Sequence, residues 1–164
     1  MNRLAAALGS AVFFVIAPGS IAGYGPWAIS GWRVRAVSPA LQDFGVILIL
    51  AGLAALVECF ARFVWRGRGT PAPIAPPRSL VVSGLYRRTR NPMYVAIVTT
   101  ILGQAALFGD IRLVAYAAVV WTGFHLWVLV YEEPALRRAF PGEYAAYAAA
   151  VPRWRPRLRA WRGA

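Results

Sequence analysis

The chain holds a single cysteine, Cys59, so no disulfide can form within it. The thiol sits inside an apolar run and reads as a small buried hydrophobe. Histidine is as scarce: His125 has no second histidine or cysteine to share a metal ion, and no metal site is expected. A packing or hydrogen-bonding role suits it better. Lysine is absent; all eighteen basic residues are arginine, against six acids. No phosphate-cradling glycine loop, nucleophile elbow or metal-ligand motif is found. No internal repeat divides the 164 residues, a length that suits one domain.

What is present is mostly apolar. Hydrophobic residues make up 59% of the chain and the mean hydropathy is +0.53, more than the core of a small soluble domain can hide. A bilayer supplies the missing apolar solvent. Four apolar runs follow one another: Leu4 to Ala22, Phe44 to Trp65, Pro92 to Gly109 and Leu113 to Tyr131. The first also has the look of a secretory signal, but its length and the three runs behind it favour a membrane span. Residues Gly23 to Ser38, with Trp27, Trp32, Arg33 and Arg35, read as an interfacial belt and loop. The expected fold is therefore an all-α integral membrane protein of about four transmembrane helices, with a cytoplasmic linker and a C-terminal interfacial helix. Three regions are expected: an N-terminal hairpin over 1–65, a Pro/Arg-rich linker and motif over 66–91, and a second hairpin with its tail over 92–164.

The net charge of +12 would suit nucleic acid, but the arginines flank apolar runs instead of forming one basic stripe, so no nucleic-acid partner is expected. Seven arginines lie between Arg62 and Arg90 and seven more in the tail, whereas the two remaining loops hold only Arg33, Arg35 and Arg112. That asymmetry puts the linker and both termini in the cytoplasm, as in a bacterial inner membrane.

Two segments concentrate polar chemistry. In Gly84-Leu85-Tyr86-Arg87-Arg88-Thr89-Arg90-Asn91-Pro92-Met93-Tyr94, Asn91 suits a helix N-cap and Pro92 a first helical position. In Tyr131-Glu132-Glu133-Pro134, two acids close an apolar helix; Pro134 disfavours helical geometry at Glu133 and starts a new helix to Ala139. Acids at a membrane edge are functional candidates. Leu136, Phe140, Tyr144, Tyr147 and Val151 then trace one face of an amphipathic helix, interrupted near Pro141-Gly142, which lies on the membrane or closes over a site.

Together these segments resemble the isoprenylcysteine carboxyl methyltransferase family. Gly84 to Tyr94 is similar to its G-P-Y-x-x-x-R-H-P-M-Y motif, and Glu132-Glu133 with Leu136, Phe140, Tyr144, Tyr147 and Val151-Pro152-Arg153 to its E-E-x-x-L…F…Y…Y…V-P-R tail. The resemblance covers about half the chain. It implies S-adenosylmethionine as cofactor and a lipid-like substrate entering from the bilayer. It also implies catalytic roles for Arg90 and Glu133, and cofactor contacts from Asn91, Tyr94, Glu132, Glu133, Tyr144, Tyr147 and Arg153. Leu85 replaces a family proline and Asn91 a family histidine; Arg90 would supply the positive charge that Asn91 lacks. The related phospholipid methyltransferases carry a G-x-G where this chain has Gly103-Gln104-Ala105, which favours the carboxyl reading. A sulfonium cofactor needs acids, donors and aromatic walls, which Glu132, Glu133, Arg90, Asn91, Tyr94, Tyr144, Tyr147 and Trp154 offer. A carboxylate acceptor needs no base at neutral pH. Transfer to a phospholipid or small amine, and a non-catalytic lipid-binding protein on the same scaffold, are the alternatives.

Overall fold

In the computed structural model, the structure describes residues 16–62 and 79–162. The first fifteen residues of the chain, which hold most of the first apolar run, and the Pro-rich stretch over 63–78 lie outside the described residues. The described residues are helical with no strand among them.

Residues 16–19 are helical and pass into a π-turn, Ser20–Tyr24, and helix α1, Gly25–Ser30. Here the expectation of a loop from Gly23 is corrected. Pro26 falls in the first turn of α1, where a missing N–H leaves nothing unpaired, so the helix runs on to Ser30. The widened turn puts two carbonyls within reach of side-chain donors from other helices. The Tyr116 hydroxyl donates to the Ile21 carbonyl at 2.9 Å, and the Gln104 amide to that of Ala22 at 2.6 Å. In an apolar surround such pairing is what makes irregular backbone tolerable.

Helix α2, Pro39–Arg62, runs 24 residues, and its most apolar 18 have a mean hydropathy of 2.4. Helix α3, Pro92–Phe108, packs along it and turns through Gly109 into α4, Ile111–Trp127. The α2–α3 contact is close because small residues face each other: a side chain at Gly52 would overlap Thr100 and the Ala96 carbonyl, and one at Gly103 would overlap Ile49. Leu56, Cys59 and Phe60 of α2 join Met93, Ala96, Ile97 and Ile101 of α3 in the core.

Helix α4 does not stop at the two acids. A π-turn, Val128–Glu132, carries it into α5, Glu133–Ala139, and the combined stretch Ile111–Ala139 covers 29 residues, the most apolar 18 of which have a mean hydropathy of 1.8. Glu133 is helical, at φ −62° and ψ −44°, against the expectation from Pro134. The proline falls at the start of α5, and the Glu133 N–H reaches back to the Val128 carbonyl, one residue further than in an α-helix. Two helices are thus long and apolar enough to cross a bilayer, Pro39–Arg62 and Ile111–Ala139. Pro92–Phe108, at 17 residues, is about 25 Å long, short of a 30 Å hydrocarbon core. About four spans were expected; the described residues hold two of full length and one shorter.

The tail forms α6, Pro141–Ala150, then a non-helical strap. The strap runs back along the segment before α3: the Arg90 N–H donates to the Pro152 carbonyl, that of Arg157 to Arg88 and that of Trp161 to Arg87, at 2.9–3.0 Å. Tyr144, Tyr147 and Val151 form a second small core beneath it, with Leu80, Val82, Phe140 and Trp161.

Candidate active site

The N-terminus of α3, the junction of α4 with α5, and the start of the strap meet at one end of the helices. Glu133 is 5% exposed and lies between the guanidinium groups of Arg90 and Arg153, with that of Arg137 at 3.8 Å from its Oε2. Arg153 donates to it twice, Nε to Oε1 at 2.6 Å and Nη2 to Oε2 at 3.1 Å, and Arg90 Nη1 stands 3.1 Å from Oε1. The two parallel Arg153 bonds are the bidentate geometry a planar fork and a carboxylate favour. They also hold the Arg153 guanidinium charged, raising its pKa above the ordinary arginine value.

Arg90 Nη1 also donates to the Tyr144 hydroxyl at 3.2 Å, while its Nε is buried with no hydrogen-bond partner among the described residues. Burial, and then the charge of Glu133, push the Tyr144 phenol above its ordinary value, so Tyr144 stays neutral. Asn91 does sit at the N-cap position, but its side chain makes no cap bond; its amide donates to the Arg153 carbonyl at 3.1 Å. The Thr89 hydroxyl reaches the same carbonyl at 3.1 Å. Arg153 is therefore fixed at both ends, by its backbone to the α3 side and by its side chain to α5.

Glu132 takes a different neighbour. Its Oε2 accepts from the Tyr94 hydroxyl at 2.8 Å, and the Tyr94 ring packs on Phe124 with centroids 4.5 Å apart. The π-turn widens the helix just before the acids, and the two side chains reach different partners on either side of it.

Of the residues singled out in the sequence, Arg90, Glu133, Tyr144 and Arg153 form one hydrogen-bonded group with Asn91 on its backbone, and Tyr94 and Glu132 form a pair. Tyr147 touches this group only through its ring, edge-on to Tyr144 with centroids 6.2 Å apart; its hydroxyl donates to the Tyr86 carbonyl at 2.6 Å and its ring also packs on Trp161. Trp154 packs on Trp121, with centroids 4.3 Å apart, and donates to His125 Nδ1 at 3.1 Å. His125 thus has a hydrogen-bonding place under the strap. Thr89 and Phe124 went unnoticed in the sequence; a threonine beside an arginine motif and a phenylalanine in an apolar helix carry no signal of their own.

The chain matches the phospholipid methyltransferase family over residues 41–143, a stretch that holds α2 to α5. It is 31% identical over 134 residues to the cobalt-zinc-cadmium resistance protein CzcN of Cupriavidus metallidurans, covering 82% of this chain and 57% of that one. It is 29% identical over 133 residues to the nickel-cobalt-cadmium resistance protein NccN of Alcaligenes xylosoxydans xylosoxydans, covering 81% and 58%. The chain therefore spans less than two thirds of the length of these relatives. No solved structure matches it. The chain matches the phospholipid family although it carries Gly103-Gln104-Ala105 in place of G-x-G, and Gln104 there joins Trp32 and the Ala22 carbonyl. With more than half its length in the match, the chain belongs to the phospholipid methyltransferase family of membrane methyltransferases, relatives of the isoprenylcysteine enzymes its motifs resemble.

Proposed function

We propose that the protein transfers a methyl group from S-adenosylmethionine to the carboxylate of a lipid-like, isoprenylcysteine-type substrate drawn from the bilayer, with the site on the cytoplasmic side. The observation that carries this reading is the pair of acids at the end of Ile111–Ala139, one locked between Arg90 and Arg153 and the other bonded only to Tyr94.

The residues suit the cofactor. Glu132 keeps acceptor capacity for a cation beyond its bond from Tyr94. The buried Arg90 Nε lacks an acceptor, which a carboxylate would supply. Tyr94 and Phe124 offer an aromatic wall for an apolar ring or a sulfonium. When bound, the cofactor supplies an electrophilic methyl group. The chain supplies position: Glu133 orients Arg90 and Arg153, Asn91 and Thr89 hold the strap, and ordered groups of this kind lower a barrier chiefly through proximity.

How Glu133 is engaged supports a carboxylate acceptor. Both its oxygens already accept from guanidinium groups, so neither stands open to take a proton from an incoming amine. A carboxylate acceptor presents no such proton at neutral pH. The family match favours a second reading, transfer to the amine of a phospholipid, with Glu132 as base. Radiolabelled methyl transfer in membranes followed by mild base separates the two. Volatile methanol released from the product is expected; a base-stable product with full incorporation would overturn the carboxyl reading in favour of the amine. Calorimetry on the detergent-solubilised protein tests the cofactor: S-adenosylmethionine should bind, and Glu132→Gln should weaken it roughly tenfold, the loss of one charge-assisted contact.

A further inference from the structure

The segment Ser83–Arg88 borders a cavity that involves none of the Arg90–Glu133 group. It opens between the last turns of α2 and the short 3-10 turn Gly84–Arg87, with a volume of about 660 Å³. Its apolar part is Ala54, Ala55 and Leu85; its polar part is Glu58, Arg62, Ser83, Arg87 and Arg88. Gly84 makes the close approach possible. Its φ is +57°, and a side chain there would overlap the Glu58 carboxylate.

Two polar atoms of this cavity are left over. Glu58 Oε1 accepts from Arg62 Nε at 2.7 Å, but Glu58 Oε2 is buried with no partner among the described residues. Ser83, only 2% exposed, has its hydroxyl buried and unpartnered as well. Glu58 Oε2 calls for a hydrogen-bond donor, and the Ser83 hydroxyl, which donates and accepts, for a partner of either kind, because a buried polar group without a partner is costly. The cations call for the opposite. Arg62 is matched by Glu58, whereas among the described residues neither Arg87 nor Arg88 meets a carboxylate. Arg87 Nε donates to the Trp161 carbonyl and Arg88 Nη1 to those of Arg157 and Leu158, which leaves guanidinium N–H groups of both residues for an anion. Two uncancelled positive charges beside an orphan acceptor and a hydroxyl describe a ligand that is anionic and carries its own hydroxyl donors. Ala54 and Ala55 lie one turn deeper on the same apolar helix as Glu58, so the apolar end of the cavity points along a spanning-length helix.

We infer that this cavity binds a hydroxylated phosphodiester headgroup, its phosphate on Arg87 and Arg88 and its hydroxyls donating to Glu58 Oε2 and Ser83 Oγ. A polyol phospholipid and a free glycerophosphate share this chemistry. Native mass spectrometry of the detergent-solubilised full chain tests it with short-chain phosphatidylglycerol, phosphatidylethanolamine and phosphatidylcholine, and with glycerol phosphate as competitor. Phosphatidylglycerol should bind about tenfold or more tightly than the other two lipids. Ser83→Ala, a small change at a buried site, should weaken it roughly fivefold to tenfold, the loss of one hydrogen bond. Arg87→Gln should weaken it at least as much, while Arg159→Gln at an exposed position should leave it unchanged. Competition by glycerol phosphate would assign the site to a soluble ester, and failure to compete would assign it to the lipid. Equal binding of the three lipids, an unaffected Ser83→Ala, or an Arg159→Gln loss matching that of Arg87→Gln would overturn the assignment.

Discussion

Asn91 occupies a capping position without capping, and this separates two accounts of why the residue is there. Its amide spans from the start of α3 to the Arg153 carbonyl, so it helps hold the strap that carries Arg153 to Glu133. Serine caps as well as asparagine but is one atom too short for that bond. Asn91→Ser and Asn91→Ala should therefore both destabilise the protein by roughly 0.5–1.5 kcal/mol, measured by denaturant titration in detergent; full stability in the serine variant would mean that capping is what counts. Asp110, at the opposite end of the helices, is 1% exposed; it caps α4 through the Arg112 N–H and also faces the Arg112 and Arg35 guanidinium groups. The Arg112 hydrogen bond above all lowers its pKa to about 2. Because the folded value lies below the ordinary one near 4, the stabilisation is complete at neutral pH and fades as pH falls from about 4 toward 2. The melting temperature of Asp110→Asn should lie below that of the parent at pH 7, and the gap should narrow at pH 3. A gap that widened on acidification would contradict this ion pairing.

The helices themselves were legible because apolar periodicity and length leave few alternatives, and α2, α3 and α4 fall close to the runs marked by composition. The π-turns were not. The loop expected from Gly23 and the break expected at Pro134 are both helical, because each proline falls where no N–H is required, and at the first widened turn Gln104 and Tyr116 satisfy the Ala22 and Ile21 carbonyls. Such a continuation depends on Gln104 and Tyr116 arriving from elsewhere in the chain, information that no local window contains. Close helix approach is equally non-local: Gly52 and Gly103 look like ordinary helix-weakening residues until α2 and α3 are laid together. Gly52→Leu should force the pair apart at a cost of about 1–3 kcal/mol, seen as a lower melting temperature, whereas Gly123→Leu, where an added side chain meets nothing within 4 Å, should change it little.

At the scale of the whole molecule, the site was half legible. The arginine motif and the acidic pair could be seen to belong together through their likeness to a family, but the strap over 152–162 could not, since its contacts are largely backbone bonds from carbonyls and N–H groups that every residue possesses. The same strap gathers Arg153, Arg155, Arg157, Arg159 and Arg162 at the end already holding Arg87, Arg88 and Arg90, and leaves Arg33, Arg35 and Arg112 at the other. Positive charge is retained on the cytoplasmic side of bacterial membranes, so the strap end should face the cytoplasm. The chain is well suited to a direct test, because its one cysteine, Cys59, is buried and adds little background. Leu158 is 94% exposed on the strap and Ile111 76% exposed beside Asp110. With a membrane-impermeant thiol reagent on intact cells, Ile111→Cys should label and Leu158→Cys should not, until the membrane is broken and both do. Labelling of Leu158→Cys from outside would turn the protein over, place the Arg90–Glu133 group away from the cytoplasm, and remove a soluble cytoplasmic cofactor from the account of its function.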